Sequence, residues 1–199
     1  MLVGALSGRR RTAQQFAGLY AQLRCRSHGA EAILRDMSRA VHATCFDASA
    51  LVKLYIDEPG SPELRWYWNT QATRYTTPFC LYETLGILKR HMLKGTLTKE
   101  AYLKAATHAV TWFRASSSQM RDIEFTEHEF FRDAKDLVEH TDLDLSDAFQ
   151  LLSLQIGYFR HLVGGSATLL VTADEALAAA ARGRNLPVWD CAREPIPQE

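Results

Sequence analysis

The sequence predicts an α/β protein: a central five-stranded parallel sheet covered by helices on both faces. Short apolar runs with the length of buried strands alternate with helical stripes five times over, which is the pattern of a parallel sheet. No linker or internal repeat interrupts that pattern between residues 41 and 192, so one domain holds it. Several acids also close a strand or open the helix behind it. In open α/β sheets that rim is where ligands bind.

Val41-His42-Ala43-Thr44-Cys45-Phe46 reads as the first strand, and it ends in Asp47. Aspartate is a poor strand former. Here it serves either as the N-cap of the next helix or as a site acid, and taken alone the two readings weigh the same. Ala50, Leu51, Leu54 and Tyr55 share one stripe of a helix starting at Ala48. Asp57 to Pro62 is a turn, and Glu63 to Asn69 resumes a helix. Arg74 to Pro78 is a second short strand, closed by a proline that cannot continue a central ladder. The next helix begins there, with Leu81, Leu85, Leu88 and Met92 on its stripe and Glu83 in its first turn. Gly95 to Thr98 breaks it, and the next helix carries Leu103, Ala106, Val110 and Phe113.

Asp122-Ile123-Glu124-Phe125 is the expected third strand. Thr126-Glu127-His128-Glu129 then matches a capping box ahead of Phe130, Phe131, Ala134, Leu137 and Val138. Ser146 is the natural N-cap of a helix reaching Leu162, apolar nearly all round and therefore central, with Asp147 in its first turn. Ala167 to Thr172 is the clearest strand, and it ends at Ala173-Asp174. Glu175 to Arg182 forms a short alanine-rich helix, Pro187-Val188-Trp189 an edge strand, and residues 193–199 a loose tail.

The 199 residues are 47% hydrophobic and 23% charged, an ordinary globular balance. No stretch approaches the roughly 20 unbroken apolar residues that span a bilayer, so no membrane partner is expected. The formal net charge of +0 hides an asymmetry. Residues 1–40 hold seven arginines against Glu31 and Asp36, a net +5, and leave −5 for the rest. Global charge therefore does not steer a polyanion to the domain; a local patch or a metal must do so. The basic leader is expected to be a disordered or loosely helical extension, with Met37 as an alternative start. Cys25, Cys45, Cys80 and Cys191 show no C-x-x-C spacing. Three of the four lie in or beside apolar runs and read as small hydrophobes; the set fits a reduced, intracellular compartment and not a zinc site.

Asp47 and Asp174 stand at strand carboxyl ends, and Glu83 and Asp147 in the first turns of helices. In a right-handed parallel sheet those positions share one rim, so all four can meet. Each acid alone also suits a helix start; their joint placement is what points to chemistry. Such a cluster repels itself unless protons or cations are present. Hard oxygen ligands without paired His or Cys select Mg²⁺ or Mn²⁺, the apparatus of phosphodiester hydrolysis. Asp142 is a loop acid, and Asp144 a secondary ligand candidate.

Phe46-Asp47-Ala48-Ser49-Ala50-Leu51-Val52-Lys53, Tyr82-Glu83, Leu145-Ser146-Asp147-Ala148 and Leu170 to Leu177 together resemble the PIN-domain ribonucleases, and most of all the VapC-type toxins. The resemblance spans residues 41–191. It implies a PIN-like sheet of order 3-2-1-4-5, with Asp47, Glu83, Asp147 and Asp174 as the catalytic, metal-binding set and Ser49 and Thr172 as polar supports. It further implies a Mg²⁺- or Mn²⁺-dependent, cytoplasmic endoribonuclease acting on RNA, forming a homodimer and silenced by a cognate antitoxin. The 40-residue basic leader departs from the short toxins and leaves a non-toxin PIN nuclease open.

Two other functions compete. A catalytically idle protein- or RNA-binding module has no need of four repelling carboxylates. An aspartyl-phosphate phosphatase wants a second Asp two residues after the first, where Ser49 stands. For RNA contact the candidates are Lys53, Lys89, Arg90 and Arg184, with Trp66, Tyr67, Trp68 and Trp112 as stacking platforms.

Overall fold

The computed structural model describes residues 43–71, 73–115, 127–160 and 167–197. The chain divides into two units, Met1–Ala40 and Val41–Glu199, and all of these residues belong to the second. The basic leader, the strand expected over 122–125 and the proposed cap Thr126 lie outside the described residues.

A parallel sheet forms the centre. Strand β1 (Thr44–Phe46) lies between β2 (Arg74–Tyr75) and β3 (Leu169–Thr172), and β4 (Val188–Asp190) closes the far edge, giving the order β2-β1-β3-β4. Every pairing is parallel, with Phe46 opposite Val171 and Thr172 opposite Asp190. Among the described residues the sheet has four strands, where the sequence leads one to expect five.

Side chains alternate across each strand with period two, and this sorts the core into two layers. Cys45 and Leu170 face helices α5 (His128–Glu139), α6 (Leu145–Gln155) and α7 (Glu175–Gly183), through Phe130, Ala134, Leu137, Leu151, Leu154, Leu177 and Ala181. Their strand neighbours Phe46 and Val171, with Trp189, face α1 (Ala48–Val52) and α2 (Ser61–Thr70). There Trp68 meets Phe46 edge-on at 4.7 Å, and Tyr67 meets Trp189 at 4.9 Å. Both faces are thus helix-covered, because both faces of the strands are apolar.

Local chemistry moves several boundaries. β2 stops at Tyr75 because Thr76 turns its hydroxyl to the Phe46 carbonyl at 2.8 Å. Thr77 then caps α3 (Pro78–Leu93), so the helix begins at Pro78 as expected, and only the strand stops short of it. Glu83 consequently falls in the second turn of α3, one turn later than expected. In α4 (Lys99–Ala115) the buried stripe is Ala105, Ala109 and Phe113, while Leu103 is 52% exposed. Helix α5 starts from Glu127, whose side chain makes no capping bond, in place of the expected capping box. Helix α6 is capped by Asp144 and not Ser146; it ends at Gln155, and Tyr158–Arg160 adds a 3₁₀ turn. Its central burial is as expected: every residue from Ala148 to Leu154 is buried. In the stretch expected to be loose, Ile196 packs on the aromatic layer and the Glu194 carbonyl accepts from Trp189 Nε1 at 3.2 Å.

Candidate active site

Strand pairing builds the centre of the site. The Asp47 amide donates to the Val171 carbonyl at 2.9 Å, which fixes Asp47 beside the end of β3. Asp47 is 3% exposed and caps α1. Its Oδ2 accepts from the Ser49 amide at 3.1 Å, the Thr172 hydroxyl at 3.0 Å and the Ser49 hydroxyl. The same two hydroxyls reach onward to the next acid. Ser49 Oγ accepts the Ala173 amide at 2.8 Å, and Thr172 Oγ1 accepts the Asp174 amide at 2.9 Å. Ser49 and Thr172 therefore tie Asp47 to the turn that carries Asp174. Asp174 in turn caps α7 through the Leu177 amide.

Two further elements bring the remaining acids. Asp144 Oδ1 accepts from the Asp147 amide and the Ser146 hydroxyl, each at 2.9 Å. That cap leaves the Asp147 carboxylate free of the backbone, half-buried in the first turn of α6. Glu83 projects from α3 as an exposed residue, and Asp142 is an exposed loop acid.

Electrostatics couples the set. Burial, and then the charges of Asp47, Asp144, Asp174 and Glu83, push the Asp147 carboxyl up to about 8. Glu83 is raised by desolvation first and then by Asp47, Asp144 and Asp174, while Arg90 draws it down. Burial raises Asp47, against hydrogen bonds from Ser49, Ala48 and Thr172 that favour its charged form. Five carboxylates from four parts of the fold, with Asp144 and Asp147 both at the start of α6, thus lie within electrostatic reach of one another, and a proton or a cation relieves them all. Among the described residues no three His, Cys, Asp or Glu side chains stand ready-made as a metal-holding group. The fit to a divalent cation is one of donor chemistry and charge: hard oxygens in excess, with their repulsion unrelieved.

The candidate substrate contacts fare differently. Lys53 is 3% exposed, and its ammonium pairs with Glu58 at 3.1 Å, so it is a core ion pair and not an RNA contact. Tyr67 and Trp68 are buried in the aromatic layer, and Trp112 packs on Trp68 at 4.7 Å. Trp66 is 58% exposed. Lys89 sits over the Tyr102 ring at 5.4 Å, and Arg184 reaches the Ala180 carbonyl. Arg90 alone of the four cations bears on the acids, through Glu83.

Sequence reasoning missed Cys80 and Gln150, which lie beneath Asp47. The Cys80 thiol donates to Gln150 Oε1 at 3.2 Å and lies 3.9 Å from Asp47 Oδ1. The signal for Gln150 was an amide in the middle of the apolar run from Ala148 to Leu154. Cys45, Cys80 and Cys191 are free and buried, as expected.

No family model matches the chain, and no curated protein matches it. Among solved structures the chain is similar to the crystal structure of PAE2754 from Pyrobaculum aerophilum, with 18% identity, a TM-score of 0.48, and coverage of 74% of this chain and 83% of that one.

Proposed function

We propose that the acid rim is the active site of a Mg²⁺- or Mn²⁺-dependent endoribonuclease that hydrolyses RNA phosphodiester bonds. The observation that carries this is the Asp147 carboxyl, pushed up to about 8 by burial and by four other acids. Carboxyls perturbed by burial and by one another, gathered at the carboxyl edge of a parallel sheet where ligands bind, are the candidates for a functional site. Asp47, Glu83, Asp147 and Asp174 would hold the cation, with Asp144 flanking them. When bound, it would supply an activated water and offset the phosphate charge. Ser49 and Thr172 keep Asp47 in one orientation, while Glu83, Asp147 and Asp174 would have to draw in around a cation. With its carboxyl pushed up to about 8, Asp147 would hold a proton near neutral pH and would release it to make room for a cation.

The same reading extends to a PIN-like five-stranded sheet of order 3-2-1-4-5, and to a cytoplasmic, homodimeric toxin silenced by a cognate antitoxin. It rests there on the four sequence segments that resemble VapC toxins.

The test is calorimetric Mn²⁺ titration of the wild type and of Asp47→Asn/Asp147→Asn, followed by incubation with a structured RNA. Metal binding and cleavage should both disappear in the variant. Cleavage undiminished in EDTA overturns the metal mechanism, and a folded wild type that binds no Mn²⁺ turns the reading to an idle RNA- or protein-binding module.

A further inference from the structure

Asp47 uses its two carboxylate oxygens very differently. Oδ2 takes three donors, from the Ser49 amide, the Ser49 hydroxyl and the Thr172 hydroxyl. Oδ1 has one side-chain donor in reach among the described residues, the Cys80 thiol at 3.9 Å. A thiol carries a single proton. Cys80 Sγ already accepts the Thr77 hydroxyl at 3.1 Å, so its own proton has two destinations, Asp47 Oδ1 or Gln150 Oε1. The amide oxygen is the nearer by far, at 3.2 Å. Hydrogen bonds weaken steeply with length, so Gln150 takes the proton.

Gln150 is an unusual occupant of its position. It is 2% exposed, and its Nε2 has no geometrically sound acceptor among the described residues, the Cys45 thiol being the one group its amide reaches besides Cys80. Its neighbours along α6, from Ala148 to Leu154, are otherwise apolar apart from Ser153, whose hydroxyl bonds the Gln150 carbonyl. A buried amide donor with nothing better than a thiol sulfur to meet it is poorly satisfied and asks for an explanation. A methionine would fill the same space without leaving such a donor. What methionine lacks is the carboxamide oxygen that faces the thiol beside Asp47.

We propose that Gln150 is a positioning residue for Asp47: by accepting the Cys80 thiol proton, its carboxamide oxygen leaves Asp47 Oδ1 with its lone pairs open to a divalent cation. This rests on the metal reading of the acid rim. Without Gln150 Oε1, the thiol turns to the acceptor that remains, and its proton occupies the oxygen a cation needs. Gln150 touches neither the cation nor the substrate in this role; it acts through Cys80.

The experiment compares wild type, Gln150→Met, Cys80→Ala and the double variant, by Mn²⁺ titration and by the infrared S–H stretching band. The band assigned to Cys80 is the one lost in Cys80→Ala. Gln150→Met should weaken Mn²⁺ binding about 10-fold or more, the range seen for groups that orient metal ligands. It should also shift the Cys80 band, because the thiol changes acceptor. Removing the thiol as well should restore wild-type affinity, since no proton is left to compete. A double variant as weak as Gln150→Met overturns the proposal, because a merely structural amide would not be rescued. Wild-type affinity in Gln150→Met overturns it too. If folded wild type binds no Mn²⁺, the metal reading fails, and with it the purpose assigned here to Gln150. The band then separately reports whether the thiol bonds the amide.

Discussion

The Asp147 carboxyl sits in a field of four other acids, and its folded-state value of about 8 lies well above the ordinary 3.8. The native state therefore binds this proton more tightly than the unfolded chain does. Unfolding free energy must fall as pH rises between those two values, and the stability contributed by the proton is gone above the upper one. In EDTA, the melting temperature of the wild type should decline from about pH 4 to about pH 8, as the linkage requires. Asp147→Asn should flatten that decline and, at the alkaline end, melt higher than wild type by about 3 °C or more. Thermal scans across pH check this, and a wild-type profile parallel to that of the variant would refute it. Asp47 and Glu83, raised in the same direction, add to the slope with the same sign. At this scale the acids themselves were legible from their positions at strand and helix ends. The thiol and amide beneath Asp47 were not, because buried polar partners are chosen by residues distant in sequence.

Helix caps and turns decide how the acids are presented. Gly60 precedes α2 with φ of 82°, and a Cβ there would stand 1.8 Å from the Cys191 carbonyl oxygen. Both the left-handed backbone and the close approach exclude a side chain. Gly60→Ala should lower the unfolding free energy by roughly 2 kcal/mol or more, seen as a reduced urea midpoint. Several misplacements belong to this scale. Ser146 is the cap expected for α6, and Asp144 takes that place because its carboxylate reaches both the Asp147 amide and the Ser146 hydroxyl. In α4 the expected stripe of Leu103, Ala106, Val110 and Phe113 keeps only Phe113 buried; packing on α3 buries Ala105 and Ala109 and leaves Leu103 outside. Pro78 opens α3 behind the Thr77 cap, and the strand before it stops short at Tyr75.

The sheet as a whole makes a site out of scattered acids. Because β1 pairs with β3, Asp47 and Asp174 are joined through Ser49 and Thr172, whose bonds cross more than 120 residues of sequence. That arrangement stores repulsion in the cation-free protein, so ligand binding and folding are linked. At pH 8, Mn²⁺ at about 100 times its dissociation constant should stabilise the wild type by about 2.7 kcal/mol. Asp47→Asn/Asp147→Asn should show no such gain. Calorimetric melting with and without Mn²⁺ measures it, and equal gains in both proteins would place the ion elsewhere.

The sequence by itself determined the alternation of strands and helices, the apolar character of both sheet faces and the placement of acids at element ends. These follow from local periodicity and from chemistry within a few residues. Only the tertiary structure decided which strands are neighbours, which helix stripe is buried, and which acids feel one another. It also withdrew Lys53, Tyr67 and Trp68 from the surface, because burial depends on what the rest of the chain packs against a residue.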